Sequence, residues 1–207
     1  MTEIARIMRL APVIPVLVVD DPAHARPLGE ALVAGGLVVL EVTLRTPCAL
    51  EVIAEMAKIP GAVVGAGTVL DAAQLDAVLA AGARFIVAPG LTEPLGRAAI
   101  AAGVPFLPGV ANAADIMRGR DMGLRQFKFF PATASGGLPA LSAFAAVFGD
   151  VEFCPTGGIS AATAPDWLAK PFVTCVGGSW LAARGETDFA AVRACAEAAA
   201  ALSGDRS

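Results

Sequence analysis

The chain has 207 residues, a formal net charge of -4, and a composition that is 56% hydrophobic but only 6% aromatic. Its apolar content is chiefly Ala, Val and Leu, which argues against disorder and suits helices packed on buried parallel strands. Without a basic block or interleaved basic and aromatic residues it is a poor partner for nucleic acid, whereas a small anion needs only local positive potential and stays open.

Residues 1–10 lack the apolar core and cleavage site of a secretory signal and read as a short amphipathic helix, an arm over 1–11. Glycine, proline or charge interrupts every apolar stretch short of a membrane span, so no membrane contact is expected and the expected location is cytoplasmic. Residues 13–19 form an apolar run ended by Asp20-Asp21-Pro22, after which a helical pattern reaches Gly35-Gly36. Residues 38–43 repeat the strand, 47–58 the helix and Pro60-Gly61 the stop, and 62–66 open a third unit. Asp71 with Gln74 makes a capping-box start for a helix ending near Gly82. Strands follow at 84–88, 104–107, 125–129, 151–154 and 172–176, with helices starting near Thr92, Asn112, Gly136 and Ser160. A last Ala-rich helix spans 187–202, with Phe189, Val192 and Cys195 on one face. Eight strand–helix units, recurring every 20 to 26 residues or so, predict a compact (β/α)8 TIM barrel as a single domain over 1–207. A doubly wound open sheet is the alternative, but it wants a Gly-rich first turn and this one is Asp-Asp-Pro.

In such a barrel, function collects where strands run into the loops that follow them. Those positions hold Glu41-Val42-Thr43-Leu44-Arg45-Thr46, Gly65-Ala66-Gly67-Thr68, Ala88-Pro89-Gly90, Lys128, Pro155-Thr156-Gly157-Gly158 and Gly177-Gly178-Ser179. Strand alternation places Glu41, Thr43 and Arg45 on one face if the strand stays extended that far. By the same period Gln126, Lys128 and Phe130 point inward, and Phe127 and Phe129 pack under the helices. A lysine, a glutamate and an arginine are thus expected in one pocket, either as an ion pair that satisfies interior charge or as reactive groups.

Lys128 sits among three phenylalanines, whereas Lys58 and Lys170 lie in polar, turn-like settings. Nucleophilic lysine chemistry needs the neutral amine, which apolar surroundings and a nearby cation such as Arg45 favour. Glu41 is the candidate for moving protons between amine, water and a substrate hydroxyl, as Schiff-base chemistry requires; the alternative is a fixed counter-ion for Arg45. The glycine pairs after strands seven and eight let backbone N–H groups approach an anion such as phosphate, each with a helix start expected behind it, unless they only make tight turns. Cys48, Cys154, Cys175 and Cys195 are widely spaced and read as free thiols. They show no zinc spacing, and with His24 as the single histidine no metal site is expected.

These motifs in this order, with Val64-Gly65-Ala66-Gly67-Thr68-Val69, Pro89-Gly90-Leu91-Thr92-Glu93-Pro94, Phe127-Lys128-Phe129-Phe130-Pro131-Ala132 and Cys154-Pro155-Thr156-Gly157-Gly158-Ile159, resemble the 2-keto-3-deoxy-6-phosphogluconate and 4-hydroxy-2-oxoglutarate aldolases. The resemblance runs from about Pro12 to Leu181. It implies a class I, cofactor- and metal-independent aldolase on a (β/α)8 barrel, assembled as a homotrimer and acting on a phosphorylated keto acid. It also implies Lys128 as the Schiff-base lysine and Glu41 as general acid/base. Arg45 and Thr68 would hold the pyruvate carboxylate half, and Pro89 and Phe130 line the pocket. Thr156 would face the middle of the substrate, and Gly157, Gly158 and Ser179 its phosphate. Two alternatives are another lysine-dependent 2-keto acid aldolase with a relaxed phosphate requirement, and a non-catalytic phosphate-binding barrel.

Overall fold

Apolar runs alternate with helical stretches through the sequence, and the computed structural model, which describes residues 1–202, realises them as α/β units on a curled parallel sheet. In order they are α1 (Glu3–Met8), β1 (Val13–Leu17), a 3-10 turn (Pro22–His24), α2 (Ala25–Ala34), β2 (Val39–Thr43), α3 (Ala49–Met56), β3 (Val63–Gly67), α4 (Ala72–Ala80) and β4 (Ile86–Val87). Then come α5 (Glu93–Ala101), β5 (Phe106–Leu107), β6 (Gly109–Val110), α6 (Ala113–Asp121), β7 (Gln126–Phe129), α7 (Gly137–Val147), β8 (Glu152–Pro155), α8 (Ala164–Leu168), β9 (Val176–Gly178) and α9 (Phe189–Ala200). Residues 203–207, the end of the expected single unit, lie outside the described residues.

The helix starts follow the side chains read from the sequence. Asp71 accepts the Gln74 backbone N–H at 2.8 Å while the Gln74 side chain accepts that of Leu70 at 2.8 Å, a reciprocal cap displaced by one residue. Asn112 and Asp188 each cap the helix behind them, accepting from Asp115 and Ala191 at 3.0 Å.

Strands β5-β4-β3-β2-β1-β9 form one parallel sheet and β6-β7-β8 a second. The two are continuous through Pro108, which divides the expected fifth strand because it has no N–H to give to a ladder, although its carbonyl accepts from Lys128 N–H at 2.8 Å. Bridges Phe153↔Val173 and Thr156↔Gly177 connect β8 to the chain around β9. Two expectations shift. The strand read at 104–107 extends past the proline to Val110, and that read at 172–176 begins at Val176, so Gly177 and Gly178 lie in the strand rather than after it.

Helices α2 and α9 pack on one another, and the layer between sheet and helices buries Phe127, Phe129 and Phe153 completely. On the concave side, the apolar face of α1 (Ile4, Ile7, Met8) meets Ile14, Val39, Phe85, Val87, Leu107, Cys154 and Cys175. Polar contacts pin α1 to the starts of β7 and β8: Thr2 Oγ1 donates to Gln126 Oε1 at 2.9 Å, Gln126 Nε2 to Glu152 Oε2 at 3.0 Å, and Arg9 pairs with Glu152. The arm therefore seals the strand-start end of the sheet, a role the sequence did not suggest. Cys48, Cys154, Cys175 and Cys195 form no disulfide among the described residues. Among the described residues no helix is long and apolar enough to cross a membrane.

Candidate active site

Glu41 lies on β2 and Lys128 on β7, strands of different sheets, so their side chains meet only across the concave interior. Lys128 Nζ donates to Glu41 Oε1 at 2.9 Å and stands 3.4 Å from Oε2, with side chains 6% and 4% exposed. Each has a glycine beside it in register, Gly65 on β3 and Gly109 on β6. An ion pair this deep persists only because attraction and hydrogen bonding offset the cost of desolvating both charges. Of the two interior pairs open to Glu41, with Lys128 or with Arg45, the structure forms the first.

The inward set on β7 follows the expected alternation. The Phe130 ring centroid lies 5.4 Å from Lys128 Nζ, while Phe127 stacks with Phe153 at 6.4 Å and Phe129 with Phe144 at 6.2 Å, under the helices. On β2 the alternation holds for Glu41 and Thr43, then stops. Leu44 N–H makes a last bond to Gly67 O at 2.9 Å, and the chain turns as Thr46 Oγ1 donates to Val19 O at 2.8 Å. Arg45 therefore stands exposed in the turn, without an ion-pair partner among the described residues, rather than beside Glu41. A free guanidinium at the mouth suits an incoming carboxylate.

Thr68 is half-buried at the exit of β3 and is the one described non-glycine residue with a positive φ, 61°. A β-branched residue pays about 1 to 3 kcal/mol for that backbone, a strain typical of functional sites. Pro89 is half-buried and its carbonyl packs on Gly109, where a Cβ would stand 2.1 Å from it. Thr156 is 6% exposed and its Oγ1 lies 4.0 Å from Cys154 Sγ. Gly157 and Gly158 turn with φ of 104° and 77°, tied to the β7–α7 loop by Ala132 N–H to Thr156 O at 2.8 Å and Thr133 N–H to Gly157 O at 3.1 Å. Ser179 is exposed just beyond β9.

The helix expected near Ser160 starts later, at Ala164, and the one expected from Thr187 starts at Phe189, so neither follows its glycine pair directly. Ser160 precedes a turn and the five-residue α8, and residues 179–188 have no helix or strand. Any anion between these loops is held by backbone N–H groups and hydroxyls, not by a helix dipole. The 179–188 loop is instead strapped to the β1 exit by Arg184, which donates to Asp20 at 2.7 and 2.6 Å, a pairing not anticipated from residues far apart in sequence. The Arg184 hydrogen bond holds the Asp20 carboxyl below its usual range. The sequence marks Gly67 only as a strand-end residue and Gly177 only as part of an anion-approaching pair, not as space for the side chains of Glu41 and Thr156. Their inward positions by the period of two were the available signal.

Comparison with known proteins places this arrangement. The family model for KDPG and KHG aldolases matches residues 4–195. The chain belongs to the KDPG and KHG aldolase family. It is 59% identical over 202 residues, 98% of this chain and 97% of the relative, to the 2-dehydro-3-deoxy-phosphogluconate aldolase of Zymomonas mobilis. It is 54% identical over 181 residues, 87% of this chain and 85% of the relative, to the KHG/KDPG aldolase of Escherichia coli K12. The crystal structure of the KDPG aldolase of Legionella pneumophila, with pyruvate captured at low pH as a covalent carbinolamine intermediate, superposes with a TM-score of 0.94 at 42% identity, covering 96% of this chain and 98% of that one. The KDPG and KHG aldolase family thus includes a member in which pyruvate is held covalently.

Proposed function

We propose that this chain is a class I aldolase that cleaves 2-keto-3-deoxy-6-phosphogluconate to pyruvate and glyceraldehyde 3-phosphate, and 4-hydroxy-2-oxoglutarate to pyruvate and glyoxylate. The observation that carries the reading is the buried 2.9 Å hydrogen bond between Lys128 and Glu41. A proton moving along it to Glu41 leaves an amine with a free lone pair, and the same carboxyl can then return protons to the substrate.

Lys128 attacks the C2 ketone to give a carbinolamine, and Glu41 protonates the departing hydroxyl so that water leaves and an iminium forms. Glu41, directly or through a water, then takes the C4 hydroxyl proton. The C3–C4 bond breaks, its electron pair flows to the iminium nitrogen, and the aldehyde is released from an enamine on Lys128. Protonation at C3 and hydrolysis free pyruvate. The iminium is itself the electron sink, so the route calls for no metal ion.

Arg45, exposed and free, and Thr68, held at a strained backbone, bind the carboxylate of the pyruvate half. Pro89 and Phe130 line the pocket and Thr156 faces the middle of the substrate. Gly157, Gly158 and Ser179 hold the phosphate. The scaffold for this chemistry is one closed (β/α)8 barrel over 1–207, a reading supported by the bridges from β8 to β9 and by continuity through Pro108. The protein works as a cytoplasmic homotrimer. Borohydride reduction in the presence of pyruvate tests the reading: mass spectrometry is expected to find the adduct on Lys128, and active protein with Lys128 unmodified would overturn it.

A further inference from the structure

Glu41 does not stand straight out from its strand. Its register neighbour on β3 is Gly65, yet its carboxylate lies over Gly67, the next inward position toward the mouth. A Cβ built on Gly67 would stand 2.2 Å from Glu41 Oε1, 2.7 Å from Cγ and 2.8 Å from Cδ, distances that real Cβ atoms do not tolerate. Lys128 stands on one side of the glutamate, and both side chains are almost wholly buried. The glutamate leans along the strand, into the space that the missing side chain of Gly67 leaves.

We propose that Gly67 is a positioning residue for the aldolase reaction: it is the socket that seats the Glu41 carboxylate against Lys128 Nζ. The same device recurs across the mouth, where a Cβ on Gly177 would stand 2.2 Å from Thr156 Oγ1. Gly67 has φ outside the left-handed region, so an alanine there meets no backbone strain of its own and the clash with Glu41 is the specific consequence. The inference rests on the reading of Glu41 as the proton shuttle.

A double-substitution cycle on the purified enzyme tests it. Gly67→Ala is expected to lower kcat by about 10²-fold or more, with KM changing far less, and Glu41→Gln to do the same. Combined, they are expected to lose no more than about twofold beyond Glu41→Gln alone, because a shuttle already removed cannot be misplaced. Losses that multiply would overturn the inference and leave the aldolase reading intact, whereas an active Glu41→Gln enzyme would overturn the reading of Glu41 itself. Thermal unfolding covers the case in which Gly67→Ala folds poorly. With Glu41 truncated, the Glu41→Ala/Gly67→Ala protein is expected to unfold at the temperature of Glu41→Ala. An equal penalty for the alanine in both backgrounds would refute the socket.

Discussion

Replacing Lys128 by Met would remove one charge from the site and leave the other where it is. Both side chains are almost wholly buried, and among the described residues Glu41 has no other ion-pair partner. Breaking a buried pair from one side costs about 3 to 5 kcal/mol, because the remaining charge keeps its desolvation penalty and loses its partner. For a chain of this size each kcal/mol lowers Tm by roughly 2 to 4 °C, so the variant is expected to unfold about 6 to 20 °C below the parent. Removing both charges has a different sign. Glu41→Leu with Lys128→Met is expected to match or exceed the parent, by up to about 4 kcal/mol, while having no route to a Schiff base. Circular dichroism melts and urea titrations at neutral pH measure both. The reasoning fails if Lys128→Met melts with the parent, or if the double variant is less stable than Lys128→Met. Either result would mean that water reaches the pair far more freely than its burial indicates.

Two further outcomes follow from the surface of the site and from the opposite end of the sheet. Arg45→Ala is expected to raise KM about tenfold for both keto acids, the lower end for a hydrogen bond to a charged group, while Tm stays put because Arg45 holds no described ion pair; an unchanged KM would remove Arg45 from the carboxylate site. Burial pushes the Glu152 carboxyl up, but hydrogen bonds from Arg9 and Gln126 outweigh it, and the net direction is below the ordinary 4.5. A depressed carboxyl contributes stability above its unfolded value and loses it as pH falls through its folded value. The Tm deficit of Glu152→Gln is therefore expected at neutral pH and should shrink once pH falls below about 4.5, and a deficit constant down to pH 3 would refute the anchoring role.

The strand–helix rhythm was legible because Gly and Pro punctuate it and because Asp71, Asn112 and similar caps act locally. What the sequence misplaced was set by partners distant in the chain. Residues 172–175 look like a strand, but β1 begins to pair only at Val13↔Val176, so the ladder starts there and runs on through two glycines. Those glycines read as a turn because nothing local reveals that Thr156 and the Trp180 ring occupy the space beside them. Glu41 and Lys128 were legible as inward residues from the period of two. Arg45 was not, since the end of β2 is decided by a Thr46 hydroxyl reaching back to Val19, just beyond β1. The helices expected near Ser160 and from Thr187 begin a few residues later, at Ala164 and Phe189, and the 179–188 loop ahead of the second is tied to Asp20 through Arg184.

The seal that α1 places over the strand-start end of the sheet has a consequence for traffic in the proposed mechanism. On the proposed reading the barrel is a vessel with one opening, so every molecule enters and leaves through the same neck, and the covalent linkage to Lys128 lies at its depth. The aldehyde fragment, nearer the neck and untethered, departs first. Pyruvate follows only after hydrolysis releases it from Lys128. In carbon–carbon bond formation the sequence is reversed, and an aldehyde that enters an empty vessel ahead of pyruvate obstructs it, so excess aldehyde should act as a substrate inhibitor in the synthetic direction.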